Sequence, residues 1–157
     1  MEIKNLKRAL NRFNKIKDMD FKPLVNKVVI MVEDEAKSLV PVDTGNLRSS
    51  IHPEVKVVGS SVVGRVYTQS EYASYIEFGT GIKGKGTYPF SVTGLSLEYR
   101  NTTWSYIDES TGERIWTAGH PAQPYMYPAL RNSRHKTLAL TKTEIKKMIS
   151  KAIAGGG

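Results

Sequence analysis

The sequence predicts a single α+β domain over residues 1–157: a small antiparallel β-sheet packed against a long N-terminal helix and a C-terminal helix, with an extended hairpin-like excursion inserted at 81–119. Three observations predict it. Apolar residues recur at helical spacing between Leu24 and Leu39, and again from Leu130 to Ile149; strict alternation replaces that period between Val55 and Val66; a stretch from Gly79 to Gly119, rich in Gly, Thr and Tyr, shows neither. With 157 residues and 39% hydrophobic content, the chain suits one domain with one core.

The elements follow in order. Leu6, Leu10 and Phe13 give a short amphipathic helix. Asp20 is placed to cap the next helix, and Pro23 is tolerated in its first turn, where N–H groups have no partner inside the helix. Leu24, Val28, Met31 and Glu35 form one row on that helix; Val25, Val29, Val32, Ala36 and Leu39 form a neighbouring apolar row, and Pro41 closes it. At ~1.5 Å per residue it is about 25 Å long, enough to cross a small sheet. Val55, Val57, Val62 and Val66 alternate with polar neighbours around Gly59-Ser60-Ser61, which predicts a β-hairpin. Tyr72 to Phe78 fits one or two helical turns. Inside the excursion, Trp104–Ile107 and Arg114–Trp116 flank a Gly-containing turn and predict a second hairpin. Pro128 to Ala154 is helical through Leu130, Leu138, Ile145 and Ile149, and Gly155-Gly156-Gly157 reads as a frayed end.

No run of ~18 apolar residues is present to span a membrane, MEIKNLKRAL lacks the apolar core of a signal peptide, and Cys is absent. The expectation is a soluble protein made in the cytoplasm. The net charge of +8 is concentrated at the ends. Lys4, Lys7, Arg8, Arg12, Lys15, Lys17, Lys22 and Lys27 face Glu2, Asp18 and Asp20; Arg131, Arg134, Lys136, Lys142, Lys146, Lys147 and Lys151 face Glu144 alone. Such ends suit contact with nucleic acid or an acidic protein surface, or simply solvated helix faces. No zinc-finger spacing or aromatic RNA-binding strand accompanies them.

Asp43-Thr44-Gly45 is the triplet of aspartic proteases, and a retroviral-type protease carries one per dimerising subunit. That chemistry needs two carboxylates sharing a proton on tight turns after apolar strands. Here the triplet follows a helix ended by Pro41, so Asp43 is expected to accept backbone N–H bonds while Gly45 makes a turn. Gly79, Gly81 and Gly84 match G-x-G-x-x-G, and Gly79, Gly84 and Lys85 match most of a P-loop, but Gly86 stands where Ser or Thr must hold magnesium. His52, His120 and His135 are scattered, without the ligand spacing of a metal site. The sequence offers no catalytic, cofactor or metal constellation.

Three segments taken in order point elsewhere. They are Leu39-Val40-Pro41-Val42-Asp43-Thr44-Gly45-Asn46-Leu47-Arg48-Ser49-Ser50-Ile51, Tyr72-Ala73-Ser74-Tyr75-Ile76-Glu77-Phe78-Gly79-Thr80 and Pro121-Ala122-Gln123-Pro124-Tyr125-Met126-Tyr127-Pro128-Ala129-Leu130. Across about Val28 to Leu140 the chain resembles the tail-component, or head–tail joining, family of long-tailed bacteriophages. The long excursion between the second and third segments departs from the pattern, at a place where the family varies in length.

The resemblance implies a non-enzymatic virion protein of siphovirus type at the head–tail interface, assembled in the host bacterial cytoplasm. It would be a tail-completion or neck (connector) subunit joining the DNA-filled head to the tail. Its implied partners are copies of itself in a six- or twelve-fold ring, head-completion or adaptor proteins, and a tail terminator or tail tube protein. From the basic ends, sequence-independent contact with phage DNA is a further candidate, and no membrane partner is expected. A tail terminator or other minor tail protein is the near alternative; a non-specific DNA-binding protein and a retropepsin-like aspartic protease are the distant ones. The motif residues it brings forward are Pro41, Asp43, Thr44, Gly45, Leu47, Tyr72, Ala73, Glu77, Phe78, Gly79, Thr80, Pro121, Ala122, Pro124, Met126, Pro128, Ala129 and Leu130. Tyr72, Tyr75, Phe78, Tyr125, Met126 and Tyr127 are anchors for the subunit's own core or for a neighbour. Trp104, Tyr106, Ile107, Ile115 and Trp116 form an apolar face that a solitary hairpin cannot bury, and are the candidate assembly contacts.

Overall fold

The computed structural model describes residues 6–42, 45–91 and 94–154, apart from the side chains of residues 6–9, 12 and 13. The expected roles of Asp43 and Thr44, of the Leu6 and Phe13 side chains and of the terminal glycines lie outside the described residues.

Helix α1 (Leu6–Lys17) is followed by α2 (Lys22–Leu39). Phe21, not Asp20, holds the N-cap position of α2, although the Asp20 carboxylate still accepts the Lys22 N–H at 2.9 Å. At the far end the Val40 N–H still reaches the Ala36 carbonyl, and Val40 itself is extended, as a residue before proline prefers. A single turn, α3 (Asn46–Ser49), leads into strands β1 (Ile51–Val58) and β2 (Ser61–Thr68), paired antiparallel around Gly59-Ser60 from Ile51↔Thr68 to Val58↔Ser61. The hairpin is longer than the valine alternation alone indicates.

One face of this sheet carries Ile51, Pro53, Val55, Val62, Gly64 and Val66, and α2 crosses it. Gly64 sets how closely: a Cβ there would run into Val25 and Val29 of the helix. The opposite face is a solvated polar ladder. Glu54 pairs with Lys56 and Arg65, and the Arg65 guanidinium lies 4.8 Å from the Tyr67 ring centre. Next come α4 (Ala73–Phe78), the single turn α5 (Gly81–Gly84), and a second antiparallel hairpin of β3 (Trp104–Ile107) and β4 (Arg114–Thr117). The last helix, α6 (Met126–Ala154), packs along α2 and touches α1. It starts two residues before Pro128, which is tolerated in a first turn.

The protein is thus α+β as expected, with two separate two-stranded sheets. Among the described residues no helix is long and apolar enough to cross a membrane, and no His, Asp or Glu cluster could hold a metal ion.

Candidate assembly interface

The three sequence segments meet. Val40, Leu47 and Ile51 from the first, Ala73 from the second, and Tyr125 and Ala129 from the third close with Ala36 into one buried cluster. Tyr125 and Ile51 are its largest fully buried side chains. No residue of 81–119 belongs to it.

Glu77 joins the second segment to the third. It sits on α4, only 5% exposed, and its carboxylate accepts the N–H groups of Tyr125 at 2.7 Å, Met126 at 2.9 Å and Tyr127 at 3.2 Å. The first turn of a helix leaves such donors without partners. Pro128 has none to offer, and the Ala129 N–H already bonds to the Tyr125 carbonyl, so Glu77 completes the start of α6. A negative group is also favoured at this positive end of the helix dipole. The Gln123 N–H adds a bond to the Ile76 carbonyl at 2.8 Å. A row of rings, Phe78–Tyr88–Phe90–Tyr127, packs around the carboxylate with centroids 4.9, 5.6 and 4.9 Å apart. Burial pushes the Tyr88 and Tyr125 hydroxyls up to about 12, and the Glu77 charge adds to that.

The glycine run that resembles a phosphate loop has a packing reason. Thr80 N–H bonds to the His120 carbonyl at 2.9 Å, Lys83 N–H to that of Ala118 at 3.1 Å, and the Ala122 N–H to Thr87 Oγ1 at 2.8 Å. These bonds draw the two ends of the excursion together. A Cβ on Gly79 would stand 2.7 Å from the Ala122 nitrogen, and one on Gly119, whose φ is +93°, would overlap the Thr80 carbonyl.

Beyond this neck the excursion presents apolar surface. Trp104, Tyr106, Ile115 and Thr117 share the face of the second hairpin that looks back at Gly81. Trp104, Tyr106 and Thr117 border a cleft of about 740 Å³ with Tyr75, Tyr99 and His120. Trp104 is half-buried there, stacked under Arg100. Trp116 and Ile107 occupy the other face; at 69% and 54% exposure, Trp116 is the most exposed large apolar side chain among the described residues. On α4, Tyr75 is 56% exposed and Tyr72 also points outward, whereas Phe78 is half-buried. Of the remaining motif residues Leu47, Ala73, Gly79 and Ala129 are buried, Thr80, Ala122, Pro124, Met126 and Pro128 half-buried, and Pro41, Pro121 and Leu130 exposed. Gly45 takes the left-handed turn expected of it, at φ +82°.

The basic ends lie on helices that touch one another. Glu144 holds Lys27 at 3.0 Å and Lys147 at 3.1 Å, while Arg131, Arg134, Lys136, Lys142 and Lys146 are exposed along α6.

Sequence reasoning placed Glu77 in the second segment but missed its task, and missed Tyr88, Phe90 and Gly64. A lone carboxylate inside the aromatic run Tyr75-Ile76-Glu77-Phe78 is the signal that could have found it, since a buried charge must have donors near it.

Fold and surface together define a class: a small α+β protein whose motif residues build its core and whose second hairpin turns large apolar side chains to the outside. The family follows from comparison. Residues 3–79 match the model of the HK97-gp10-like family, described as "Bacteriophage HK97-gp10, putative tail-component". Over that stretch, α1 to the end of α4 and just under half of the chain, it is similar to this family of phage tail components. The match starts earlier than Val28 and ends before the third segment, which the structure nonetheless brings against the first two. No curated protein and no solved structure matches the chain.

Proposed function

We propose that the protein is a structural subunit of the phage head–tail joint, a tail-completion or neck protein that closes into a ring, and that it performs no catalysis. The observation that carries this reading is the outward apolar surface of the second hairpin. Trp116 and Ile107 are exposed on a neck held by backbone hydrogen bonds, in a chain whose first half is similar to a tail component. An ordered apolar surface of this kind marks an interaction site. Its partners would be further copies of the chain, with head-completion or adaptor proteins on one side and the tail terminator or tail tube on the other. The basic face of α6 would meet DNA, if at all, through phosphates and without base preference.

The test is electron microscopy of particles made by phage carrying a nonsense codon in this gene. DNA-filled heads beside separate, finished tails of normal length support a joining subunit. Tails of uncontrolled length identify a terminator instead. Normal joined virions overturn both.

A further inference from the structure

A groove of about 550 Å³ lies between α2, β2 and the first turns of α6, with Glu77 and, from the excursion, Tyr88 and Leu95 also on its wall. Val28, Val32, Gly64, Phe78, Tyr127 and Leu130 line it, so its walls are nearly all apolar. Gly64, Arg65 and Val66 all border it. Because successive strand residues point to opposite faces, a groove touching three in a row follows the edge of the strand. That edge is open to pairing, since β2 has a strand on one side only. The other edge of this sheet is blunted. A two-residue turn makes Val58 and Ser61 a hydrogen-bonded pair, which turns the Pro53 position outward on β1, where proline has no N–H to give.

The second hairpin has the complementary features. Trp116 and Ile107 share its outer face, and its tip is acidic: Asp108, Glu109 and Glu113 crowd around one turn of a chain whose net charge is +8. Asp108 fixes that turn by accepting the N–H groups of Ser110 and Thr111 at 2.8 and 3.2 Å. Among the described residues Glu109 and Glu113 make no ion pair. Beside the groove, α6 presents Arg131, whose guanidinium lies 5.9 Å from the Phe90 ring centre, and Arg134 to solvent, neither with a carboxylate partner among the described residues.

We propose that the β3–β4 hairpin of one copy docks in the α2–β2–α6 groove of the next, with Trp116 seated in the groove and the acidic tip against Arg131 and Arg134. This rests on the ring reading and names the contact that would close the ring. Two different patches on one chain make a head-to-tail interface, which propagates around a ring when the rotation closes. The charge pattern selects a second copy, because the acidic tip and the basic helix face belong to the same sequence. A buried tryptophan is the kind of side chain that dominates such contacts.

The test is the mass of the purified full-length chain, by sedimentation and light scattering, across concentration. Wild type is expected to form a closed oligomer. Trp116→Ala should weaken association at least ~30-fold, as loss of a hot-spot residue does, while melting at the wild-type temperature. Glu109→Lys/Glu113→Lys and Arg131→Glu/Arg134→Glu should each be monomeric alone and should associate when mixed in equal amounts, each tip meeting an oppositely charged groove. An oligomer unchanged by all three variants overturns this contact and leaves the ring reading standing. Variants that dissociate without recovery on mixing overturn the pairing of tip with Arg131 and Arg134. A wild-type chain that stays monomeric at every concentration overturns both.

Discussion

Replacing Glu77 by alanine removes the acceptor of three backbone donors at once. Hydrogen bonds to a charged group contribute about 1.5–3 kcal/mol each, and a buried donor left without a partner costs about 1–3 kcal/mol. The bonds to Tyr125 and Met126 are short, at 2.7 and 2.9 Å, and Tyr125 is fully buried; the bond to Tyr127 is longer, at 3.2 Å. Met126 and Tyr127 are only half-buried, so water can relieve part of the loss. The sum expected for Glu77→Ala is a destabilisation of about 4 kcal/mol, within the range for breaking a buried polar network. Glu77→Gln keeps an oxygen but loses the charge at the helix terminus, and about 2 kcal/mol should go. Tyr88→Phe removes only a 3.4 Å contact and should cost less than ~1 kcal/mol. Urea unfolding followed by circular dichroism at 222 nm measures all three. An alanine variant within ~1 kcal/mol of wild type, with the same helical signal, would refute the claim that Glu77 holds the start of α6.

Other expectations concern backbone contacts, packing and titration. Gly119→Ala places a methyl group on the Thr80 carbonyl at a φ of +93°, and should lower stability by about 3 kcal/mol in the same urea assay. Gly64→Val should prise α2 from the sheet and cost about 2 kcal/mol, whereas a change at Gly59 to asparagine, with open space around it, should stay within ~1 kcal/mol. Ile51→Ala, in the centre of the core, should cost about 3 kcal/mol in thermal unfolding. Tyr88 and Tyr125 have hydroxyls raised from 10 to about 12 in the folded state, so the stability they contribute is complete below pH 10 and is lost as pH rises toward 12. Absorbance at 295 nm should show two of the eight tyrosines ionising late, together with unfolding; eight that titrate as one group near pH 10 would contradict it.

What the sequence made legible was periodicity. The valine alternation announced β1 and β2, and the apolar rows announced α2, because each of those patterns reports burial on a local element. Leu10 and Leu39 show the limit: both fit an apolar row, yet each is substantially exposed. The start of α6 was read two residues late because its cap lies 48 residues away, on α4, and no local signal encodes it. The glycine run looked like a ligand loop because spacing cannot tell a backbone approaching a phosphate from a backbone approaching another backbone. The motif residues were legible as a set, but it took three dimensions to separate those that build the core, such as Ala129, from those turned outward, such as Leu130.

The neck of the excursion has a consequence for how this protein can change. Thr80 and His120 are bonded across 40 residues, and their bond closes the loop before it reaches the core. Loop-closure entropy rises slowly with length, by only about 0.6 kcal/mol for each doubling. Insertions, deletions or a different tip within the β3–β4 hairpin therefore cost the body of the protein little, provided Gly79 and Gly119 keep the neck closed and Thr87, Tyr88 and Phe90 keep their contacts with the body. Selection can then rewrite what the hairpin grips while the body that presents it stays the same, as an exchangeable bit fits an unchanged chuck.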